Sequence, residues 1–264
     1  MQALELCPRE SLARLFGVLT DIDDTLIGHA GLPAETLQSL HDLQAAGVPV
    51  IAITGRPSGW SEAFAMDWPV AAIVAENGAV MLRNLQGRLQ RDFCQDEATR
   101  TANFARLQAC AADVLARVPG ATLATDSAGR LTDIAIDHSE HAHLDAQQIE
   151  QVCAMMREHG LRATVSSIHI NGWIGEHNKW TAAHWAVHAA LGQAFDASEW
   201  VYVGDSTNDQ QMFARMPLSV GVANIARFVP QLQALPSYVT RGERGQGFAE
   251  LARVLLSARA GAAA

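Results

Sequence analysis

The sequence predicts an α/β protein that is built on a parallel sheet and carries an inserted α+β segment. Short, almost entirely apolar runs at residues 15–20 and 48–54 are typical of strands that are buried on both faces. Between them, a helical pattern opens at Pro33 and closes at Gly47. Strand, helix and strand at this spacing form the repeating unit of a parallel sheet with right-handed crossovers.

The same pattern continues after the second strand and returns near the end of the chain. A loop, GRPSG, is followed by a short helix and by a third strand near AAIVAE. Later, a helix is expected from Asn178 to Leu191, where Gly192 ends it. It is followed by a strand in EWVYVGD (199–205), a short helix in NDQQMFARM and a strand in LSVGVAN. Both ends of the chain therefore contribute to one parallel sheet.

The middle third of the chain has a different pattern. Turns at NG (77–78) and QG (86–87) separate short extended pieces, which predicts hairpins. A long helix is expected over 96–118 and a second helix over 145–159. The segment TLATDSAGRLTDIAID reads as two strands joined by a Ser-Ala-Gly turn, and LRATVSSIHINGW is again extended. These signals indicate antiparallel structure.

We interpret this change of pattern as a second domain inserted into the first. Residues 89–175 are assigned to the inserted α+β domain. Residues 1–88 and 176–264 are assigned to the domain that holds the parallel sheet.

Composition and charge narrow the classes of function. The chain has 264 residues, enough for one large domain or two modest ones, and 49% hydrophobic and 18% charged residues are ordinary for a globular protein. The formal charge of −9, with no cluster of Lys and Arg, argues against nucleic-acid binding. It does not exclude a small anionic substrate, because a bound metal can reverse the local field.

Cysteine usage and charge pattern bear on location. The four cysteines are far apart and form no CxxC pair, which favours a reducing compartment over a disulfide framework or a zinc site. The first fifteen residues carry charges where a signal peptide would be apolar. No uncharged apolar run reaches the ~18 residues that span a bilayer. We therefore expect a cytoplasmic protein without a membrane partner.

Polar residues follow three of the predicted parallel strands. The first strand ends on DID (21–23), the second on TGR (54–56) and a later one on GDSTND (204–209). Ligands of open parallel sheets bind outside the carboxyl ends of the strands, so these segments should converge on one cleft. Several carboxylates in one cleft repel each other unless a cation lies between them. Oxygen ligands of this kind suit Mg²⁺.

The DIDDT segment has two alternative interpretations. One is a solvated turn after a strand, which a single DxD by itself would favour. The other is a calcium-binding EF-hand loop. Counting from Asp21, however, the sixth position is Leu26 in place of glycine and the twelfth is Leu32 in place of glutamate, so the calcium-loop interpretation fails.

Taken together, the motifs resemble those of the haloacid dehalogenase superfamily of phosphohydrolases. DIDDT matches DxDxT, ITGR supplies Thr54, Lys179 stands alone at a helix start, and GDSTND matches GDxxxD. The AENGA segment and the inserted domain resemble the branch with the larger α/β cap, which includes sucrose-phosphate, trehalose-phosphate and mannosyl-phosphoglycerate phosphatases and phosphomannomutase. The resemblance implies a Rossmann-like parallel-sheet core with an inserted cap. It covers nearly the whole chain and is thinnest in the cap.

The resemblance also implies a role for each motif residue. Asp21 would be the nucleophile that forms an aspartyl-phosphate. Asp23 would protonate the leaving oxygen and later activate water. The phosphoryl group would be bound by Thr54, Gly55, Arg56, Lys179 and Asn208. Mg²⁺ would be held by Asp21, the backbone carbonyl of Asp23 and Asp205, with Asp209 supporting them.

An alternating segment in the cap is a candidate for substrate recognition. Ser167, His169, Asn171 and Trp173 would share one face of a strand. They offer hydrogen-bonding groups and an aromatic plane that could recognise a sugar. Packing of Trp173 against a neighbour is an equal alternative. We expect His169, Asn171 and Trp173 to help select the substrate.

Two groups of histidines have ordinary explanations. His138, His141 and His143 could suggest zinc, but a polar loop between a strand and a helix explains them better. His184 and His188 are four residues apart on a helix without the intervening Glu of a metalloprotease. The glycine-rich GERGQG has the wrong spacing for a dinucleotide motif and is expected to be a loop before the last helix.

The sequence therefore predicts a Mg²⁺-dependent phosphatase of a small phosphorylated metabolite, most plausibly a sugar phosphate. Two alternatives stay open. One is a phosphomutase of the same branch, which would isomerise its substrate without releasing phosphate. The other is a non-catalytic module that binds a phosphorylated ligand, although every motif carboxylate and the lysine are present.

Overall fold

The computed structural model describes residues 1–28 and 31–262. Thirteen strands and eight α-helices lie within these residues. The strands are β1 (Gln2–Ala3), β2 (Gly17–Thr20), β3 (Val50–Ile53), β4 (Ala72–Ala75), β5 (Val80–Leu85), β6 (Arg88–Phe93), β7 (Thr122–Leu123), β8 (Asp133–Asp137), β9 (Arg162–Val165), β10 (His169–Trp173), β11 (Trp200–Gly204), β12 (Ser219–Gly221) and β13 (Tyr238–Val239). The helices are α1 (Arg9–Ala13), α2 (Ala34–Ala45), α3 (Ser58–Asp67), α4 (Glu97–Arg117), α5 (Ala146–Glu158), α6 (Lys179–Leu191), α7 (Gln210–Arg215) and α8 (Arg244–Ala262).

A nine-stranded sheet forms the centre of the molecule. Its order is β1-β13-β12-β11-β2-β3-β4-β5-β6, and all pairs from β1 to β4 are parallel. The register aligns Thr20 of β2 with Ala52 of β3 and Val203 of β11. The carboxyl ends of these three strands therefore meet at one edge of the sheet, as the sequence predicts. The predicted α/β fold class is confirmed.

Helices cover both faces of this sheet. Val18 of β2 packs on the face that is covered by α1, α2 and α8, while the next residue, Leu19, packs on the opposite face with α6 and α7. Because neither face meets water, the central strands are apolar at successive positions and do not alternate. This explains why the short apolar runs in the sequence identify the strands of the core.

A second, four-stranded sheet lies in the middle of the chain. Its order is β7-β8-β10-β9, and every pair is antiparallel. Helices α4 and α5 cover one face through a separate hydrophobic cluster that includes Leu107, Val114, Val152 and Met156. The antiparallel character predicted for the middle third is confirmed.

Several predicted helix ends agree with the local chemistry. The side chain of Asp96 accepts a hydrogen bond from the backbone of Thr99 at the start of α4. Asp145 forms a capping box at the start of α5. Gly192 ends α6 with φ = 72°, in the left-handed region that favours glycine.

Three details differ from the sequence prediction. LRATVSSIHINGW forms the hairpin of β9 and β10, and Ser167 lies in its turn instead of on the face of β10. The GERGQG segment is a loop only up to Glu243, because α8 already begins at Arg244. The predicted domain boundary after residue 88 falls inside the β5–β6 hairpin, whose second strand pairs within the large sheet. The division into two domains itself stays a prediction.

Within residues 1–28 and 31–262, no helix combines the length and the apolar composition that a membrane span requires.

Candidate active site

Three buried carboxylates meet at the carboxyl edge of the large sheet. Asp21 directly follows β2 and Asp205 directly follows β11, while Asp209 belongs to the turn after β11. One oxygen atom from each lies within 4.8 Å of the others. The backbone N–H of Asp21 donates to the carbonyl of Val203 at 2.9 Å, which extends the ladder of the sheet and fixes the position of Asp21. The predicted convergence of DID and GDSTND is therefore present.

Lys179 places a positive charge among these carboxylates. It is buried at the first position of α6, and its Nζ donates to Asp21 Oδ1 at 2.5 Å and to Asp209 Oδ1 at 2.7 Å. Burial works to lower the pKa of Lys179, but the charges of Asp209 and Asp21 outweigh it and raise this pKa above its usual range. The amine therefore stays charged although it lies at the positive end of a helix dipole.

Asp209 holds neighbouring groups of the site in position through four hydrogen bonds. Its Oδ1 accepts from Lys179 and from the hydroxyl of Tyr202, and its Oδ2 accepts from the backbone N–H groups of Asp205 at 2.9 Å and Ser206 at 3.1 Å. A Cβ atom at Gly204 would lie only 2.4 Å from Asp209 Oδ2, so glycine is required there. With both oxygens occupied, Asp209 fits the supporting role expected of it.

Asp205 has an oxygen atom without a partner. Its Oδ2 accepts from Asn224 Nδ2 at 3.2 Å, whereas its buried Oδ1 has no hydrogen-bond partner among the described residues. Burial, followed by the charges of Asp209 and Asp21, raises the pKa of Asp205 well above its ordinary value. A buried carboxylate oxygen without a partner is costly, and a hard cation would satisfy it. The residues therefore fit Mg²⁺, which Asp21, Asp205 and the backbone carbonyl of Asp23 would hold.

The two motif carboxylates, Asp21 and Asp23, differ in their surroundings. Burial raises the pKa of Asp21 to about 8, while the Lys179 ammonium works against this rise. Burial also raises the pKa of Asp23, against the effect of Arg56, whose Nε donates to both of its oxygens at 2.9 and 3.1 Å. A carboxyl group with a raised pKa is suited to proton transfer. Lys179 pairs with Asp21, the nucleophile candidate, and Arg56 pairs with Asp23, the acid–base candidate.

The phosphate-binding candidates lie around the same point. Thr54 is buried after β3, and its Oγ1 accepts from the backbone N–H of Arg56 at 3.0 Å. Asn208 accepts from the hydroxyl of Ser206 at 2.9 Å. The guanidinium of Arg56 also binds two carboxylates of the cap, Asp126 at 3.0 Å and Glu140 at 3.3 Å. Its contact with a phosphoryl group stays a prediction.

The cap lies directly on the candidate site. Asn171 Nδ2 and Arg130 Nη1 both donate to the carbonyl of Gly55, at 3.2 and 3.0 Å, and Thr207 Oγ1 donates to the carbonyl of Val165 at 2.6 Å. The cavity at Asp21 is consequently only about 10 Å³ in volume. That is room for about one water molecule.

The three cap residues predicted to select the substrate divide into two groups. His169 and Asn171 line the small cavity together with Asp21 and Asp23. Trp173 instead lines a neighbouring cavity of about 250 Å³, whose lining also includes Lys179 and Asn208, and its Nε1 donates to the carbonyl of His177 at 2.9 Å. The role of Trp173 in substrate selection stays a prediction.

Sequence reasoning missed the role of Glu76. This fully buried carboxylate accepts from the backbone N–H groups of Ser58 at 3.0 Å and Leu131 at 3.1 Å, and from both the N–H and the hydroxyl of Thr132 at 2.6 and 2.5 Å. Glu76 and Asn77 both have positive φ, at 51° and 56°. The available signal was a charged residue directly after a buried strand, in AENGA.

The sequence motifs also assign no role to Asp24. It accepts from Arg244 Nε at 2.6 Å and from Arg227 Nη2 at 3.2 Å, and its backbone carbonyl accepts from Asn224 at 2.9 Å. Although burial works to raise the pKa of Asp24, the hydrogen bonds and charges of Arg244 and Arg227 lower it. Asp24 thus ties the DIDDT segment to the C-terminal helix α8.

Among the described residues, His138, His141 and His143 do not come together as a group of possible metal ligands. His138 Nε2 lies 3.0 Å from the carbonyl of Ser166. In the described part of the chain, the only group of three or more His, Cys, Asp or Glu side chains that could hold an ion is Asp21, Asp205 and Asp209.

Comparisons with known proteins agree with this geometry. Residues 18–117 match a family model described as haloacid dehalogenase-like hydrolase. No curated protein matches the sequence significantly.

Three solved structures share the fold. A Thermoplasma acidophilum protein is 15% identical, with a TM-score of 0.72 over 92% of this chain and 98% of the other. The C-terminal domain of C. albicans trehalose-6-phosphate phosphatase is 14% identical, with a TM-score of 0.67 over 98% of both chains. The sucrose-phosphatase of Synechocystis, solved with sucrose and phosphate, is 15% identical, with a TM-score of 0.66 over 91% of this chain and 98% of the other.

The family match covers the first two motifs and the strands that carry them. The resemblance predicted from the motifs is thereby confirmed: residues 18–117 are similar to haloacid dehalogenase-like hydrolases, and this similarity indicates that the protein is an enzyme.

Proposed function

We propose that the protein is a Mg²⁺-dependent phosphatase that hydrolyses a small phosphorylated metabolite, a sugar phosphate, through an aspartyl-phosphate. The observation that carries the proposal is the position of Lys179 between Asp21 and Asp209, beside the unpaired oxygen of Asp205. A buried lysine at hydrogen-bond distance from a nucleophile candidate can neutralise the charge of an incoming phosphoryl group.

The side chains support a two-step displacement. An oxygen of Asp21 attacks phosphorus, and the bond to the leaving oxygen breaks while Asp23 gives that oxygen a proton. Asp23, now a carboxylate, takes a proton from water, and the resulting hydroxide displaces Asp21 to release inorganic phosphate. Lys179 and Thr54 hold the phosphoryl oxygens as charge develops on them. Mg²⁺, when bound, adds further charge stabilisation at these oxygens.

Substrate entry requires the cap to move away from the core. A cavity of about 10 Å³ at Asp21 is smaller than a phosphoryl group. Contacts that close it are polar, such as those of Asn171 and Arg130 with the carbonyl of Gly55, and water can replace them.

Two similar structures support the choice of a sugar phosphate. They are the sucrose-phosphatase, which was solved with sucrose and phosphate, and the trehalose-6-phosphate phosphatase domain. Their alignments cover 98% of this chain for the trehalose-6-phosphate phosphatase domain and 91% for the sucrose-phosphatase.

A cytoplasmic location is part of the same proposal. All four cysteines are free thiols, and three of them are buried. Unpaired thiols in a folded chain suit a reducing compartment.

The direct test is a screen of phosphate esters for release of inorganic phosphate, with Mg²⁺ and with EDTA. We expect turnover with Mg²⁺ only, and inhibition by Ca²⁺, whose looser coordination suits an in-line displacement poorly. Isomerisation of a sugar phosphate without phosphate release would reveal a mutase instead. Full turnover in metal-free buffer would refute the metal assignment.

A binding measurement tests the metal site without turnover. Mg²⁺ should raise the thermal midpoint of the wild-type protein, because it binds only the folded carboxylate cluster. Asp205→Asn should abolish this increase, whereas Asp42→Asn, on the exposed surface of α2, should retain it.

A further inference from the structure

A second cavity adjoins Asp23. It measures about 460 Å³ and shares Asp23, Arg56, Ser167 and Ile168 with the small cavity at Asp21, although Asp21 itself does not line it. Its volume falls within the ~300–1,000 Å³ of small-molecule sites. Under the proposed function, Asp23 gives its proton to the leaving oxygen. The remainder of the leaving group must therefore occupy this cavity.

One wall of the cavity is aromatic. Trp60 and Phe64 of α3 line it, with ring centroids 4.5 Å apart, and both are half-buried. The guanidinium of Arg56 lies over the Trp60 ring, 5.0 Å from its centroid, and holds the ring in place. A flat apolar wall of this kind suits the C–H face of a sugar ring.

The polar part of the lining consists mainly of hydrogen-bond acceptors. Glu140 Oε1 accepts from Arg56 at 3.3 Å, and Glu140 Oε2 lies 2.9 Å from His169 Nε2. The two oxygens of Asp24 accept from Arg244 and Arg227. A carboxylate oxygen with one partner keeps a second lone pair, so both side chains can accept hydrogen bonds from substrate hydroxyl groups.

The charges of the lining disfavour a second anion. Three carboxylates line the cavity, Asp23, Asp24 and Glu140, and the only arginine that lines it is Arg56. Arg56 is already bound to Asp23, Asp126 and Glu140. Arg244 and Arg227 pair with Asp24 but do not line the cavity. Within the described residues, the cavity thus presents no uncommitted guanidinium to a second phosphate or carboxylate of the substrate.

We propose that this cavity accepts a neutral or cationic polyhydroxy leaving group and rejects one that carries a second anionic group, with Glu140 and Trp60 as specificity residues. The inference rests on the proposed function, because Asp23 must act on the leaving oxygen. It narrows the substrate class to phosphate monoesters of sugars whose other substituents are hydroxyl or amino groups. Bisphosphates and sugar acids are excluded.

The test compares three esters that differ in one substituent: glucose 1-phosphate, glucosamine 1-phosphate and glucuronic acid 1-phosphate. The assay is run with Mg²⁺ at pH 8 and at low salt, where charges are weakly screened. We expect kcat/KM for the carboxylate ester to be at least ~10-fold below that for the other two. Equal or faster turnover of the carboxylate ester would overturn the inference.

Two variants assign the effect to residues. Glu140→Gln should raise the ratio of kcat/KM for the carboxylate ester to that for the neutral ester at least ~3-fold, because one repelling charge is removed. Glu150→Gln makes the same charge change on the exposed surface of α5 and should leave this ratio unchanged. An unchanged ratio in Glu140→Gln would contradict the assignment of Glu140.

Trp60→Leu should lower kcat/KM for glucose 1-phosphate relative to methyl phosphate, whose leaving group is too small to reach the aromatic wall. Trp185→Leu, in a separate cavity, provides the matched aromatic control. Equal losses on both esters in Trp60→Leu would make Trp60 a structural residue only.

Failure of the proposed function gives a different result. If none of the esters is hydrolysed, the phosphatase proposal fails. Calorimetric binding of the three esters to the wild-type protein with Mg²⁺ then still decides the charge preference. Tighter binding of the carboxylate ester would refute it, and weaker binding would support it.

Discussion

The core side and the cap side of the candidate site are built in different ways. On the core side, Asp21 and Asp205 follow neighbouring strands of the parallel sheet, and hydrogen bonds of the sheet and the turn fix each one. On the cap side, Glu140 comes from the loop between β8 and α5, Ser167 from the turn between β9 and β10, and His169 begins β10. The core side therefore provides a rigid arrangement that suits one type of chemistry. The cap side provides contacts that can change without disturbing that chemistry.

The pairing of charges shows the same difference. Lys179 is fully enclosed and shared by two buried carboxylates of the core. Arg56 instead connects Asp23 of the core with Asp126 and Glu140 of the cap, and these groups keep partial exposure. A fully buried pair cannot be separated without a large cost in free energy, whereas a pair that water can reach exchanges its partner for water more easily. The core pairs should thus persist when the cap opens.

The largest expected effect separates the two motif carboxylates. Asp21→Asn removes the nucleophile and should lower turnover at least roughly 10³-fold on every ester. Asp23→Asn keeps the nucleophile, so its deficit should shrink on an aryl phosphate, whose leaving group needs no proton. Steady-state rates on phenyl phosphate and on an alkyl ester measure both effects.

Asp42→Asn, on the exposed face of α2, is the control for these two substitutions and should be active on both esters. If Asp21→Asn kept its activity while Asp23→Asn lost it on every ester, the roles assigned to the two carboxylates would be wrong.

Lys179 tests the rigidity of the core side. Lys179→Met leaves Asp21 and Asp209 without their shared cation, so we expect the free energy of unfolding to fall by about 3 kcal/mol. Urea denaturation measures this change, with Arg157→Met on the exposed surface of α5 as the control.

Since Lys179 is the only lysine of the chain, amine-specific labelling offers a second test. In the native protein the label should reach the N-terminus alone, and Lys179 should react only after unfolding. Rapid labelling of Lys179 in the native state would contradict the buried pair.

Glu76 tests the junction between the two regions. The carboxylate of Glu76 accepts hydrogen bonds from four donor groups, whereas the amide in Glu76→Gln has only one acceptor oxygen. Because buried donors then lose their partners, we expect the free energy of unfolding to fall by about 2 kcal/mol. Hydrogen exchange should accelerate at the amides of Leu131 and Thr132, which Glu76 binds. Glu62→Gln on α3 is the matched control at a more exposed position. Unchanged exchange at both amides would show that Glu76 does not anchor the cap loop.

His177, in the segment between β10 and α6, should produce a smaller effect that depends on pH. Burial, followed by the charge of Arg162, lowers the pKa of His177 to about 4. Because this folded-state pKa lies below the ordinary value near ~6.5, the contribution to stability is complete above pH ~6.5 and is lost as the pH falls toward 4. The free energy of unfolding should therefore fall less on acidification in His177→Gln than in the wild type, by up to about 2 kcal/mol.

Denaturation curves at pH 7.5 and pH 4.5 measure the difference for His177→Gln. His169 contributes in the same direction, since burial also lowers its pKa to about 4, so part of the pH dependence should persist. An identical pH dependence in wild type and His177→Gln would show that His177 is not the group responsible.

Much of the core could be predicted because the sequence patterns that specify it lie within short segments of the chain. An apolar run followed at once by DID or GDSTND identifies a buried strand and its polar end, and parallel topology brings such ends together. The helix of Lys179 was predictable from Asn178 and Gly192, which cap it at both ends. The hydrogen-bond partners of Glu76 could not be predicted, because Leu131 and Thr132 lie more than fifty residues away in the sequence and no pattern at Glu76 specifies them.

The sequence by itself determined the alternation of strands and helices in the core, the position of three motifs at strand ends and the acidic character of the chain. These features depend on hydrophobic period, turn residues and charge, which act between near neighbours. The tertiary structure alone decided that Arg56 is bound to carboxylates of the cap, that Trp173 lines a different cavity from His169 and Asn171, and that the buried Oδ1 of Asp205 has no hydrogen-bond partner among the described residues. The physical reason is that each of these depends on which distant side chains share a small volume, and only packing sets that.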